Sequence, residues 1–200
     1  MATQHKATTI RAKPERGGFL DEADWINAAL DILVNRSVDA VGVEPLAKQL
    51  GVTKGSFYWH FRDRPALLRA ILRAWRQRAT LAIIERLEQR HDTPLDRLRQ
   101  LIELPYSSPR ARQAAQVELA IRAWARRDEL AAAAVQEVDK HRLSYIGSLL
   151  RSIGFENDEA DVRAVLLYAY QFAESLIATG ETDEKRAKRR AVCVDQLLQK

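Results

Sequence analysis

The sequence predicts an all-α chain: a small three-helix domain followed by a larger helical bundle. Three observations carry this. Apolar residues recur at helical spacing from about Leu20 onward, beginning with Ile26, Ala29, Leu30 and Leu33 at i, i+3, i+4 and i+7. No segment beyond Trp75 shows the alternation of a strand. The periodic segments are divided by residues that start or stop helices, among them Gly51, Asp63-Arg64-Pro65, Thr93-Pro94, Pro105, Pro109, Gly154 and Gly180.

The boundaries follow in order. Residues 1–19 carry Lys6, Arg11, Lys13 and Arg16 against Glu15, lack an apolar period, and read as a flexible basic arm. Residues 20–66 form the first domain and residues 67–200 the second. The first helix ends at Asn35-Arg36-Ser37. The second spans Val43–Leu50, with Gly42 as N-cap, Pro45 tolerated in its first turn, and Gly51 as the terminating glycine. Thr53 opens the third, its hydroxyl placed to accept from the Ser56 N–H. Phe57 and Phe61, four apart, face inward, which leaves Lys54, Gly55, Tyr58 and Trp59 on other faces. Asp63 caps a fourth helix with Pro65 in its first turn. Further helices are expected near 75–90, 95–104, 109–125, 128–153, 158–179 and 183–198.

Composition narrows the function classes. The chain has 200 residues, of which 46% are hydrophobic and 30% charged, the mix of an ordinary globular domain. No apolar run reaches the roughly 18 residues of a membrane span, and residues 1–18 lack the apolar segment of a secretory leader. One cysteine, Cys193, can form neither an intrachain disulfide nor a cysteine zinc site. A cytoplasmic location, no membrane partner, no metal and no cofactor are expected. The histidines at 5, 60, 91 and 141 show no metal-site pairing, no glycine-rich phosphate loop follows a strand, and no catalytic residues assemble by spacing. Residues 1–76 hold 12 Lys+Arg against 8 Asp+Glu, while residues 77–200 hold 20 against 19. The excess of positive charge therefore sits in the N-terminal third, where a polyanion would bind.

The informative segment is VEPLAKQLGVTKGSFYWHF, residues 43–61. Two short helices joined by Gly51-Val52 make a helix-turn-helix pattern. Such a pattern reads double-stranded DNA when the first turn of its second helix fits the major groove. Thr53 and Ser56 offer hydroxyls there, Lys54 reaches a phosphate or a guanine edge, and Gly55 lets backbone come close. Tyr58 and His60 carry polar tips on aromatic bodies.

This segment resembles the TetR-type (tetracycline-repressor-like) transcriptional regulators. The matching residues are Ile26–Leu30, Leu46-Ala47, the run Leu50-Gly51-Val52-Thr53-Lys54-Gly55-Ser56-Phe57-Tyr58-Trp59-His60-Phe61, and Leu67-Leu68. The resemblance covers about residues 20–70. It implies a homodimer that binds a pseudo-palindromic operator, usually as a repressor, and releases it when a small molecule enters the C-terminal bundle. Carried over by position, Thr53, Lys54, Gly55, Ser56, Tyr58, Trp59 and His60 would lie at the DNA, joined by Gly42, Lys48 and Arg64. Two positions depart from the family pattern. Gly42 stands where many members have a Ser or Thr N-cap, and Arg64 stands where lysine is common, keeping the charge and offering phosphate a forked partner.

In the C-terminal body, Tyr106 and Trp124, with His141 behind them, are the candidate effector-binding residues, since an apolar pocket with a few polar groups suits a small ligand. The apolar faces Val135, Val138, Tyr145, Leu149, Ile153 and Val162, Val165, Leu166, Ala169, Ala173, Leu176, Ile177 predict a helical bundle shared by two chains. The basic run Lys185, Arg186, Lys188, Arg189, Arg190 reads as a solvated helix face, and Cys193 as a small buried hydrophobe. Two rivals stay open: a DNA-binding regulator without a small-molecule sensor, and a helical enzyme or carrier.

Overall fold

A computed structural model of the chain describes residues 20–177 and 179–199. The expected arm at 1–19 lies outside the described residues. Among those described there is no strand, and no helix is long and apolar enough to cross a membrane.

The helices are α1 (Glu22–Asn35), α2 (Val43–Leu50), α3 (Lys54–Tyr58), α4 (Arg64–Arg76), α5 (Ala82–Glu88), α6 (Pro94–Glu103), α7 (Pro109–Ala125), α8 (Glu129–Ser152), α9 (Asn157–Leu176) and α10 (Asp183–Leu198). Side-chain caps account for most of these starts. Asp21 and Asp24 make a reciprocal capping box, and Asp63, Thr93, Ser108, Asp128 and Thr182 each accept a first-turn N–H. Pro65, Pro94 and Pro109 sit in first turns, where a missing N–H costs nothing. Gly51 ends α2 in the left-handed region, φ 71°, and its N–H and that of Val52 close the helix on Lys48 and Ala47 carbonyls.

Three boundaries differ from expectation. Thr53 begins α3, but its hydroxyl does not cap it; the Ser56 N–H bonds the Thr53 carbonyl instead, at 3.1 Å. The expected break at Trp75 is absent, because α4 runs on into α5 through one π-helical turn at Gln77–Leu81. Helix α9 stops at Leu176, with Ile177 extended.

Two apolar clusters hold the chain. The first joins α1–α4 to α7 and the first half of α8 through Trp25, Leu46, Phe57, Leu67, Ile71, Trp75, Ile121, Trp124 and Val138. The packing thus runs across the 66/67 boundary. The second joins α6, the rest of α8, α9 and α10 through Leu98, Ile102, Leu150, Phe155, Leu167, Tyr168 and Val194. The apolar residues of α8 named above therefore serve the monomer core, since Val138 and Leu149 are buried. Those of α9 do not. Val162, Val165, Leu166 and Leu176 are 48–64% exposed and form one stripe.

A polar layer lies between the clusters. Glu118, buried, accepts from Trp75 Nε1 at 3.2 Å, Arg122 Nε at 2.9 Å and Arg142 Nη2 at 2.9 Å. Arg142 also donates to the Ala79 carbonyl and the Thr80 hydroxyl, each at 3.0 Å. This grip explains the π turn: the carbonyl at 79 and the buried Thr80 find their partner in α8. A buried charge persists only when paired and hydrogen-bonded, and these are.

Candidate nucleic-acid interface

The interface is built on an aromatic base. Phe57 is fully buried and Phe61 nearly so; their ring centroids lie 5.4 Å apart. Trp25 of α1 meets Phe57 edge-on at 5.4 Å. This packing turns the opposite side of α3 outward. Thr53, Lys54 and Gly55 are exposed, Tyr58 is 59% exposed and Trp59 89%. Tyr58 is propped at its base by Phe57, whose ring stands perpendicular at 5.3 Å. Ser56 and His60 are half-buried. The His60 ring leans on Trp25, centroids 6.4 Å apart, so its apolar face belongs to the domain. Composition gave no warning of this use of Trp25, although its place one residue before the Ile26 stripe puts it near the same face.

Gly55 is not required by the fold. Its φ is not positive, and a Cβ there would meet only the Thr53 hydroxyl, at an ordinary 3.6 Å. Gly42 is not required either: its backbone is extended, and a Cβ would touch Pro45 at 3.5 Å. Lys48 is exposed in the last turn of α2.

Two cations are engaged within the chain. Lys54 pairs with Glu44 of α2, both exposed. The hydrogen bond from Lys54 and its charge hold the Glu44 carboxyl below the usual range. Arg64 does not present the expected fork. Its Nε donates to the Val41 carbonyl and its Nη2 to the Val38 carbonyl, both at 2.6 Å. It clamps the α1–α2 connection to the start of α4.

The three expected effector residues do not converge. Trp124 is 4% exposed inside the first apolar cluster. His141 stands exposed on α8 with Nδ1 2.8 Å from the Glu137 carbonyl oxygen. Tyr106 is half-buried elsewhere, its ring 4.0 Å beneath the Arg190 guanidinium of α10 and its hydroxyl donating to the Gln171 carbonyl of α9. Burial, then the Glu174 charge, pushes that phenol up to about 12. The aromatics point where the nearest core needs filling, and periodicity alone does not tell a core-facing ring from a pocket-facing one. Four cations of the basic run of α10 lie on carboxylates: Lys185 on Glu181, Lys188 on Glu184, Arg189 on Glu174 and Arg190 on Glu103; Arg186 pairs with none among the described residues. Cys193 is half-buried, and burial and Glu174 push its thiol pKa up, against easy ionisation.

A short helix carried outward on a buried aromatic base, after a glycine-terminated helix, is the geometry of a helix-turn-helix domain on an all-helical body. Residues 26–71 match the family described as bacterial regulatory proteins, tetR family. The matched segment runs from α1 into α4 and leaves the helical body outside it. Over 49 residues it is 47% identical to the tetracycline repressor protein class A from transposon 1721 of Escherichia coli, covering 24% of this chain and 23% of the relative. Over 67 residues it is 38% identical to the HTH-type transcriptional regulator TtgW of Pseudomonas putida, covering 34% of this chain and 46% of the relative. The chain thus covers less than half of these relatives' length. The fold match is longer. A transcriptional regulator from Rhodococcus sp. Rha1 aligns with a TM-score of 0.69 at 21% identity, over 90% of this chain and 94% of that one. A candidate regulator from Saccharomonospora viridis, solved in complex with choline, aligns with a TM-score of 0.70 at 19% identity, over 87% and 93%.

Proposed function

We propose that the chain is a DNA-binding transcriptional repressor that acts as a homodimer on a pseudo-palindromic double-stranded operator and is released by a small-molecule effector. The observation that carries the reading is the outward face of α3. Thr53, Lys54, Gly55, Tyr58 and Trp59 are exposed on a rigid aromatic base, and an exposed Trp59 and Tyr58 have no intramolecular reason to be there. Base edges are read from Thr53, Lys54 and Ser56. Tyr58 and His60 supply backbone contacts, and Gly42 and Lys48 face the flanking phosphates. Arg64 acts by holding the domain together, with one terminal nitrogen left for phosphate. Lys54 exchanges Glu44 for DNA, which is inexpensive because the pair is exposed.

The α9 stripe supports the dimer. Its exposed Val162, Val165, Leu166 and Leu176 follow helical spacing on the face turned away from both clusters. Two α3 helices reading successive major grooves on one face of a duplex would lie about 34–36 Å apart, one turn of DNA.

Tyr58→Ala tests the interface. It should weaken binding to every duplex, and flatten the salt dependence if the phenol sits on a phosphate. Unchanged affinity for operator DNA removes Tyr58 from the interface.

A further inference from the structure

A groove of about 720 Å³ runs between the C-terminal end of α7 and the adjoining face of α8. Its floor is apolar, made by Ala125, Ala132, Val135 and Leu143. Its rim carries Arg126 and Lys140, both exposed and neither in an ion pair among the described residues. At its inner wall Asp139 is already matched: Arg122 donates to both its oxygens and the Tyr168 hydroxyl to one, at 2.7 Å. Arg122 and Asp139 therefore cancel, and the groove keeps two cations of surplus charge above an apolar strip.

We propose that this groove is the effector site and that it takes an amphiphilic monocarboxylate, its head on Arg126 and Lys140 and in competition with Asp139 for Arg122, its tail along Ala132, Val135 and Leu143. This rests on the effector-released reading given above and names the ligand class for it. The groove is shallow and open to solvent, so it seats a tail along its floor and leaves the head at the charged rim. The surplus charge selects an anion, and the floor selects an apolar body. The location supplies the consequence. Arg122 bonds Glu118, Glu118 bonds Arg142 and Trp75, and Arg142 holds the π turn that continues α4. A carboxylate that draws Arg122 from Asp139 disturbs the first member of that series and so biases the helix that carries α3. Burial alone would raise the Asp139 carboxyl, but the hydrogen bonds from Arg122 and Tyr168 hold it below the usual range, so the competition is between two ionised carboxylates at neutral pH.

Calorimetric titration of the full chain with three probes of one tail length tests this: octanoate, octanol and octyltrimethylammonium, all below micelle formation. The wild type should bind octanoate saturably and more tightly than either other probe. Arg126→Glu/Lys140→Glu changes only exposed side chains and should melt with the wild type. It should bind octanoate about tenfold more weakly and bind the ammonium probe better than the wild type does. Equal octanoate affinity in both proteins, equal affinity for octanol and octanoate, or no saturable binding overturns the site. The readout contains no DNA. A chain that binds octanoate as described yet fails to recognise DNA overturns the regulatory reading alone, and a chain that recognises DNA but ignores octanoate overturns this site alone.

Discussion

Gly55 carries no side chain at a place where the fold would accept one, and Lys54 beside it spends its charge on Glu44. On the proposed reading, both features leave room for a duplex to come close. Gly55→Ala should therefore leave the domain as stable or up to about 1 kcal/mol more stable, while operator affinity falls; thermal melts and anisotropy on the same samples check the two directions. Glu44→Gln should tighten binding to specific and random duplexes alike, because it frees Lys54 and removes an anion from the face; no gain at low salt would place Lys54 away from the DNA. Phe57, Phe61 and the exposure of Tyr58 and Trp59 were legible from a spacing of four and a five-residue helix. The role of Arg64 was not. Its two carbonyl partners, Val38 and Val41, lie in an irregular connection whose path no local pattern encodes.

At the scale of elements, start and stop residues settled most helix boundaries in advance, since Thr93-Pro94, Ser108-Pro109 and Gly154 act through local backbone chemistry. The π turn at Gln77–Leu81 had no such signal. It depends on Arg142, sixty-odd residues away in sequence, taking the Ala79 carbonyl and the Thr80 hydroxyl. Arg142→Met should cost several kcal/mol by leaving the buried Glu118 without one of its cations, and Glu118→Leu in the same chain should restore much of the loss; denaturant melts of the single and double variants decide it. The same layer carries a pH dependence. The folded value of Asp139 lies below its unfolded one, so its contribution is full above the ordinary aspartate range and disappears as pH falls through the lowered folded value. Asp139→Asn should flatten that acid limb of the stability curve, and an unchanged limb would assign it to other carboxylates.

Over the whole molecule, the helix-turn-helix segment and the body share one apolar cluster. Trp25 of α1 and Phe57 of α3 belong to the same packed group as Trp124 of α7 and Val138 of α8. A fragment of residues 1–66 would lose Leu67, Ile71 and Trp75 as well as the α7 face, and should be unfolded by circular dichroism; a cooperatively folded fragment would show that the first domain stands alone. This sharing also explains why the places of the aromatic rings in the body were not legible. Trp124 fills the joint between domain and body, Tyr106 is held under the Arg190 guanidinium and on the Gln171 carbonyl, and only packing separates such rings from pocket walls. On the proposed reading, two copies of the α3 face grip one duplex. The most direct test is fluorescence anisotropy of the full chain on the DNA upstream of its own gene, against a random duplex, across a salt series. Two chains per duplex should bind the upstream fragment tightly and the random one more weakly, with affinity that falls steeply as salt rises. No binding to either duplex at low salt would contradict this reading.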